Sequence, residues 1–133
     1  MANAIYPKYK EALLNGSANT NMSSGTVKVA LVDTGTYTYS ATHEFLSSLS
    51  GRVGTDATLG TKTFTNGTFD AANSTYTAVS GATVEALVIY IDTGVAGTSR
   101  LIAYIDTGVA GLPVTPNGGD INITWDAAGI LTL

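Results

Sequence analysis

The sequence predicts an all-β protein, a β-sandwich or jelly-roll-like single domain with a short N-terminal helix and one further short helix. Two observations carry that expectation. From Thr26 onward, short runs of alternating apolar and polar residues are separated by turns rich in Gly, Asn and Asp. The composition agrees: 44% of residues are apolar and only 12% charged, with Thr, Ser, Asn and Gly supplying most of the other polarity. That mixture suits a β-rich core under an uncharged polar surface, not a disordered chain. A length of 133 residues allows one domain with a real core and is too short for two ordinary ones. Residues 1–25 read as an N-terminal helix and linker arm, and 26–133 as the β-sandwich domain.

The elements follow in order. In "YPKYKEALL" (6–14), Pro7 suits a first helical turn, where its missing N–H costs nothing. Tyr6, Tyr9 and Leu13 share one face at i, i+3 and i+7, and Gly16 is placed to end the helix. So short a helix is unstable alone and must dock, either on its own sandwich or on a neighbouring subunit. After a polar linker, "TVKVALVD" puts Val27, Val29 and Leu31 on one side and Lys28 on the other. With "TYTYS" (36–40) it predicts a hairpin over 27–40 that turns at Asp33-Thr34-Gly35. "THEFLSSLSG" (42–51) predicts the second helix, with Thr42 as N-cap and Phe45, Leu46 and Leu49 on one face. Asn66-Gly67 between Phe64 and Phe69 signals another hairpin. Strands are expected in "STYTAVS", "ATVEALVIYID", "SRLIAYID", "LPVTP", "GDINITWD" and "ILTL". In "DINITWD", Ile121, Ile123 and Trp125 face inward and Asn122 and Thr124 outward.

The most catalytic-looking strings are two copies of "YIDTGVAG", at 90–97 and 104–111, and a related "LVDTGT" at 31–36. Asp-Thr-Gly behind two apolar residues is the signature of aspartic proteases, whose two Asp side chains share a proton. Asp92 and Asp106 are separated by one strand and one loop, so their turns leave opposite ends of a meander. A homodimer pairing Asp33 from each subunit stays as a remote alternative, without the apolar-apolar-Gly segment or Gly-rich flap such an enzyme needs. Strand-ending turns account for all three strings.

Other chemistries fare no better. The single His43 has no ligand partner at metal spacing, and Asp120, Asn122, Thr124 and Asp126 offer at most sparse oxygen ligands for weak surface calcium. "GTDATLGTKT" (54–63) has the wrong spacing for a phosphate loop and precedes a strand. No G-x-S-x-G elbow marks an activated serine. The sequence therefore predicts no catalytic, cofactor-binding or metal-ligating residues, and a protein that is not an enzyme.

Six Lys/Arg against ten Asp/Glu give a net charge of −4, and the cations are scattered, which disfavours nucleic acid and anionic membrane as partners. Cysteine is absent, so there is no disulfide or thiolate chemistry. No secretory signal or membrane-length apolar run is evident, and a soluble protein made in the cytoplasm is expected. Such a chain works through its surface. The candidate partner-binding residues are Tyr6, Tyr9 and Leu13 on the helix and Tyr37 and Tyr39 on the following strand.

The opening "MANAIYPKYKEALLNG", the block "VKVALVDTGTYTYSATHEFLSSLSGRVGT" and the tail "GLPVTPNGGDINITWDAAGI" resemble small virion structural proteins of tailed bacteriophages. The resemblance covers nearly the whole chain but contains no catalytic motif, so no residue roles carry over. It implies a capsid decoration, or cement, protein: a homotrimer on the virion capsid surface that binds the major capsid protein and stabilises the assembled head. A tail or fibre-base component is the alternative of the same class.

Overall fold

The computed structural model describes residues 3–133. The protein is all-β, built on one five-stranded antiparallel sheet. Its strands are β1 (Ala4–Ile5), β2 (Thr26–Val32), β3 (Arg52–Thr58), β6 (Ala86–Asp92) and β7 (Leu101–Ile105), in the spatial order β1-β7-β6-β2-β3. Two short antiparallel ribbons accompany it. One pairs β4 (Thr68–Phe69) with β9 (Leu131–Thr132), the other β5 (Ser74–Tyr76) with β8 (Ile121–Ile123). The helix α1 (Pro7–Asn15) follows β1.

The register decides what each side of the sheet must meet. Val27, Val29 and Leu31 of β2 stand opposite Ile91, Ile89 and Leu87 of β6, and so share one face. Lys28, Ala30 and Val32 stand opposite Tyr90, Val88 and Ala86 on the other. Apart from Lys28, all of these are buried, so the sheet is covered on both sides. The alternation puts Val27, Val29 and Leu31 on one side of β2 and Lys28 on the other, and Ala30 and Val32 make that second side apolar as well.

On the first face the ribbons form the cover. Tyr76, Ile121, Ile123, Trp125 and Phe69 join the same apolar cluster as β2 and β6. The buried Tyr76 hydroxyl donates to the Val29 carbonyl at 3.1 Å. Ile130 and Leu131 lie beside Ile5 and Ile105. "DINITWD" alternates as expected, with Ile121, Ile123 and Trp125 buried and Asn122 and Thr124 exposed. The Trp125 indole N–H donates to the Ala72 carbonyl at 3.2 Å, which satisfies its one polar atom in the core.

On the second face the cover is residues 33–51, a strap with almost no regular structure. Tyr37 and Leu46 are buried beneath it, and Tyr39 packs on Tyr6 and Tyr104 with ring centroids 5.1 and 5.5 Å away. This strap corrects two expectations. No hairpin forms over 27–40, because β2 pairs with β3 on one side and β6 on the other and leaves no edge for 36–40. The alternating tyrosines there roof the sheet instead of extending it. Nor does 42–51 form a helix beyond a single 3-10 turn at Leu46–Ser48. Phe45 is extended (φ −122°, ψ 161°), and its neighbours spend their backbone groups on the start of β7. Leu46 N–H donates to Ser99 O at 2.8 Å and Leu101 N–H to Glu44 O at 3.0 Å. Two tertiary backbone bonds outweigh weak helix propensity in a Ser-rich segment.

The helix α1 forms as expected. Pro7 opens it, and Gly16 closes it in the left-handed region (φ 63°). There the Gly16 N–H donates to Leu13 O and the Ser17 N–H to Ala12 O. The Asn66-Gly67 turn is also present: Thr63 and Asp70 exchange two backbone bonds of 2.9 and 3.0 Å around it.

The twin octamers end on glycines with different burdens. Gly111 has φ +108°, and a Cβ there would clash with Asn122 O; at Gly97 nothing lies within 4 Å. Gly111→Ala is therefore expected to destabilise the fold by about 2 kcal/mol or more. Gly97→Ala should change stability by less than about 0.5 kcal/mol. Urea denaturation of the two variants checks the contrast.

Candidate functional site

The three Asp-Thr-Gly turns are the most catalytic-looking strings in the chain. Thr26 pairs with Asp92 and Val32 with Ala86, so Asp92 and Asp33 lie at opposite ends of the β2–β6 pair, roughly 20 Å apart. Asp106 follows β7 at the same end as Asp33 but two strands away, about 10 Å to the side. No two of these carboxylates form a proton-sharing dyad within the chain. In the first two turns the aspartate bonds the turn's own backbone, and the third is held by a residue from outside it. Asp33 Oδ1 accepts the Gly35 N–H at 2.9 Å and Oδ2 the Thr36 hydroxyl at 3.1 Å. Asp92 Oδ1 accepts the Gly94 N–H at 2.9 Å, and Oδ2 pairs with Lys28 Nζ at 3.0 Å. At 106–108, Asn3 Oδ1 accepts both the Asp106 and Thr107 N–H groups, at 2.8 and 3.0 Å.

Among the described residues no three His, Cys, Asp or Glu side chains are grouped for a metal ion. The carboxylates considered for calcium are committed to nearby backbone: Asp120 Oδ1 accepts the Ala78 N–H at 3.0 Å, and Asp126 Oδ1 the Ala128 N–H at 2.8 Å.

A polar groove of about 650 Å³ crosses the strap side of the sheet, lined by Lys28, Arg52, Asp56, Tyr90 and Asp92. Its charges are spent on each other. Asp56 Oδ2 accepts from Arg52 Nη1 at 2.8 Å and from the Tyr90 hydroxyl at 2.5 Å. Burial, then the Asp56 carboxylate, push the Tyr90 hydroxyl above its ordinary range, so it stays a donor. The Gly94 N–H, and after it Lys28, hold the Asp92 carboxyl below the usual carboxylate range.

The five predicted partner-binding residues divide unevenly. Tyr6, Tyr9 and Tyr37 lie in the chain's own core, at 0, 3 and 2% exposure. They are therefore not free to bind a partner. Their polar tips are satisfied internally: Tyr9 donates to Thr20 O at 2.9 Å, and burial pushes its hydroxyl up to about 12. Tyr39 and Leu13 are partly buried against that core. Nothing brings the five together as one surface.

What does reach solvent is an apolar groove of about 490 Å³ lined by Ile5, Lys10, Leu13, Leu14, Thr132 and Leu133. Leu14 is 90% exposed and Leu133 66%. Of the predicted residues, Leu13 alone belongs to it. The sequence signal for Leu14 was negative: it falls off the Tyr6–Tyr9–Leu13 stripe, so the docked face leaves it outside. Nothing local marks Leu133, whose neighbour in space is set by the pairing of β9 with β4.

Comparison with models of known protein families and with curated proteins finds no match to this chain.

The Asp92 turn gives a test of the structural reading. Asp92→Asn keeps the acceptor for Gly94 and should change stability by less than about 0.5 kcal/mol. Asp92→Ala loses that acceptor as well and should cost about 1 kcal/mol at neutral pH. A carboxyl held below its unfolded value stabilises above that unfolded value, and the contribution fades as pH falls through the folded one. The gap between wild type and the alanine variant should therefore narrow from pH 7 to pH 3, as read by urea denaturation.

Proposed function

We propose that this protein is a non-enzymatic virion structural protein of the capsid decoration type, which docks on the assembled head of a tailed phage and binds the major capsid protein. One observation carries the docking part: Leu14 and Leu133 stand exposed beside Ile5 and Leu13 on a domain whose other large apolar residues are nearly all withdrawn into the core. Exposed apolar residues grouped around a groove, on an otherwise Thr-, Ser- and Gly-rich surface, mark an interaction site. The virion part rests on the resemblance of the three sequence blocks described above.

The physical demands of the role are met by the fold. A cement protein must hold its shape without disulfides, and a sheet packed on both faces does so. Individual contacts need not be strong, because many copies bound to one lattice act together, and a trimer on a three-fold position multiplies each contact again. A small apolar groove with one lysine on its rim fits weak, repeated contacts better than a lone high-affinity interface.

Binding of purified protein to heads that lack it tests the reading. Wild-type protein should coat the heads in many copies. Leu14→Glu should fold normally, because the side chain is exposed, and should lose at least about tenfold in head binding. Equal binding by this variant overturns the assigned groove. Label on the tail overturns the decoration reading in favour of a tail component, and peptide cleavage lost in Asp33→Asn overturns the non-enzymatic one.

A further inference from the structure

We infer that His43, the single histidine of the chain, is a pH-sensitive clasp holding the strap against the sheet. The Tyr6 and Tyr37 hydroxyl oxygens lie 2.8 Å apart, and the Tyr37 hydroxyl lies 2.7 Å from His43 Nδ1. The chain of contacts joins the segment between β1 and α1 to the middle of the strap. Tyr6 has no exposed surface and Tyr37 has 2%.

Hydrogen counting gives the chain a direction. Each phenol brings one proton, which needs an acceptor when buried. Tyr37 is the only hydrogen-bond partner of the Tyr6 hydroxyl among the described residues. If Tyr37 donated to Tyr6, the Tyr6 proton would have nowhere to go. Tyr6 therefore donates to Tyr37, and Tyr37 donates to His43 Nδ1. That arrangement requires a bare Nδ1, so the neutral ring carries its hydrogen on Nε2.

Protonation removes the end of the chain. An imidazolium donates from both nitrogens, so Nδ1–H and two phenolic O–H groups would compete for two contacts, and one buried donor is orphaned. From the sheet, the Asp106 and Glu85 carboxylates act on the Tyr104 hydroxyl, and Glu85 Oε2 accepts from the Thr34 N–H and hydroxyl at 3.1 and 3.2 Å. Tyr39 and Tyr104 present rings to the cluster. The neighbouring Glu44 carboxylate is held by Arg100 Nη1 at 3.0 Å from the start of β7. From α1, Lys8 lies within the field of Glu44 and is paired with Glu11 at 3.0 Å. The chain is thus intact with the neutral imidazole and lost when the ring takes a second proton.

The strap does not come away whole. Its 44–47 end stays tied by Leu46 N–H to Ser99 O, Ser47 N–H to Ala96 O and Leu101 N–H to Glu44 O, none of which titrates. Acid therefore loosens residues 36–43 and leaves 44–47 seated.

Hydrogen exchange of the full chain at pH 7.5 and 5.5, corrected for intrinsic rates, tests this. The Tyr37 and His43 amides, bonded to Asp33 O and Ser40 O, should lose about tenfold in protection at the lower pH. Leu46 and Ser47 should not change. His43→Asn offers an acceptor that does not titrate and should abolish the pH dependence. Unchanged wild-type protection, or an equal loss in His43→Asn, overturns the clasp. The wild-type imidazole gives a check that needs no variant: nitrogen NMR at pH 7.5 should show the Nε2–H tautomer, and Nδ1–H would overturn the direction of the chain.

Discussion

The constraint on which the rest of the structure depends is that β2 and β6 are apolar on both faces. A sheet with one wet face needs one cover; this one needs two, and a chain of 133 residues has little to make them from. The ribbons β4–β9 and β5–β8 supply one. The other comes from residues that form no ladder at all, the strap 33–51. Covering by irregular chain carries a cost, because backbone groups removed from water must still be bonded. That is why the strap is stitched down by backbone bonds to Ser99, Ala96 and Leu101 and by hydroxyls such as Tyr37.

The same constraint explains the uses of tyrosine. An irregular cover cannot interdigitate like a second sheet, so it needs side chains that are wide, apolar over most of their area and able to end in a hydrogen bond. Tyr6, Tyr37, Tyr39 and Tyr104 meet that description. They form a layer in which rings bury area and the Tyr6 and Tyr37 hydroxyls solve the polar problem locally. The groove containing Asp56 and Tyr90 repeats the solution at the other end of the sheet, with a phenol held as donor by burial and a carboxylate.

Much of this was legible in the sequence, and the failures share a cause. The all-β class, α1 with its proline start and glycine stop, the Asn66-Gly67 turn and the inward set Ile121, Ile123 and Trp125 follow from local pattern. The 27–40 hairpin and the 42–51 helix failed because the local signals there were overruled by partners distant in the chain: β6 occupies the edge that 36–40 would have used, and the start of β7 occupies the backbone of 44–46. The candidate surface failed the same way. Aromatic residues in a helix stripe and an alternating strand look alike whether they face a partner or their own core. Only the second cover of the sheet decides that Tyr6, Tyr9 and Tyr37 turn inward. Leu14 carries only a negative signal, as the apolar residue left off the stripe, whereas Leu133 reaches the groove by strand pairing that no local signal encodes.

The repeated octamer shows how far local sequence reaches. Both copies close a Tyr-Ile strand with an aspartate followed by a left-handed glycine, Gly94 and Gly108. Beyond that glycine the copies diverge. Val95 is 60% exposed at a loop tip, whereas Val109 packs against the core. In the first copy Thr93, Thr98 and Ser99 bond among themselves, and the Ala96 and Ser99 carbonyls accept the Ser47 and Leu46 N–H groups of the strap. In the second, Ala110 exchanges backbone bonds with Thr124, and the loop becomes part of the ribbon layer. Four residues of turn chemistry are enough to end a strand, but the path afterwards is set by whichever backbone partner lies within reach. The strings that looked most like an active site therefore act as strand ends, and what distinguishes the two copies is the partner each loop meets: the strap for the first, Thr124 for the second.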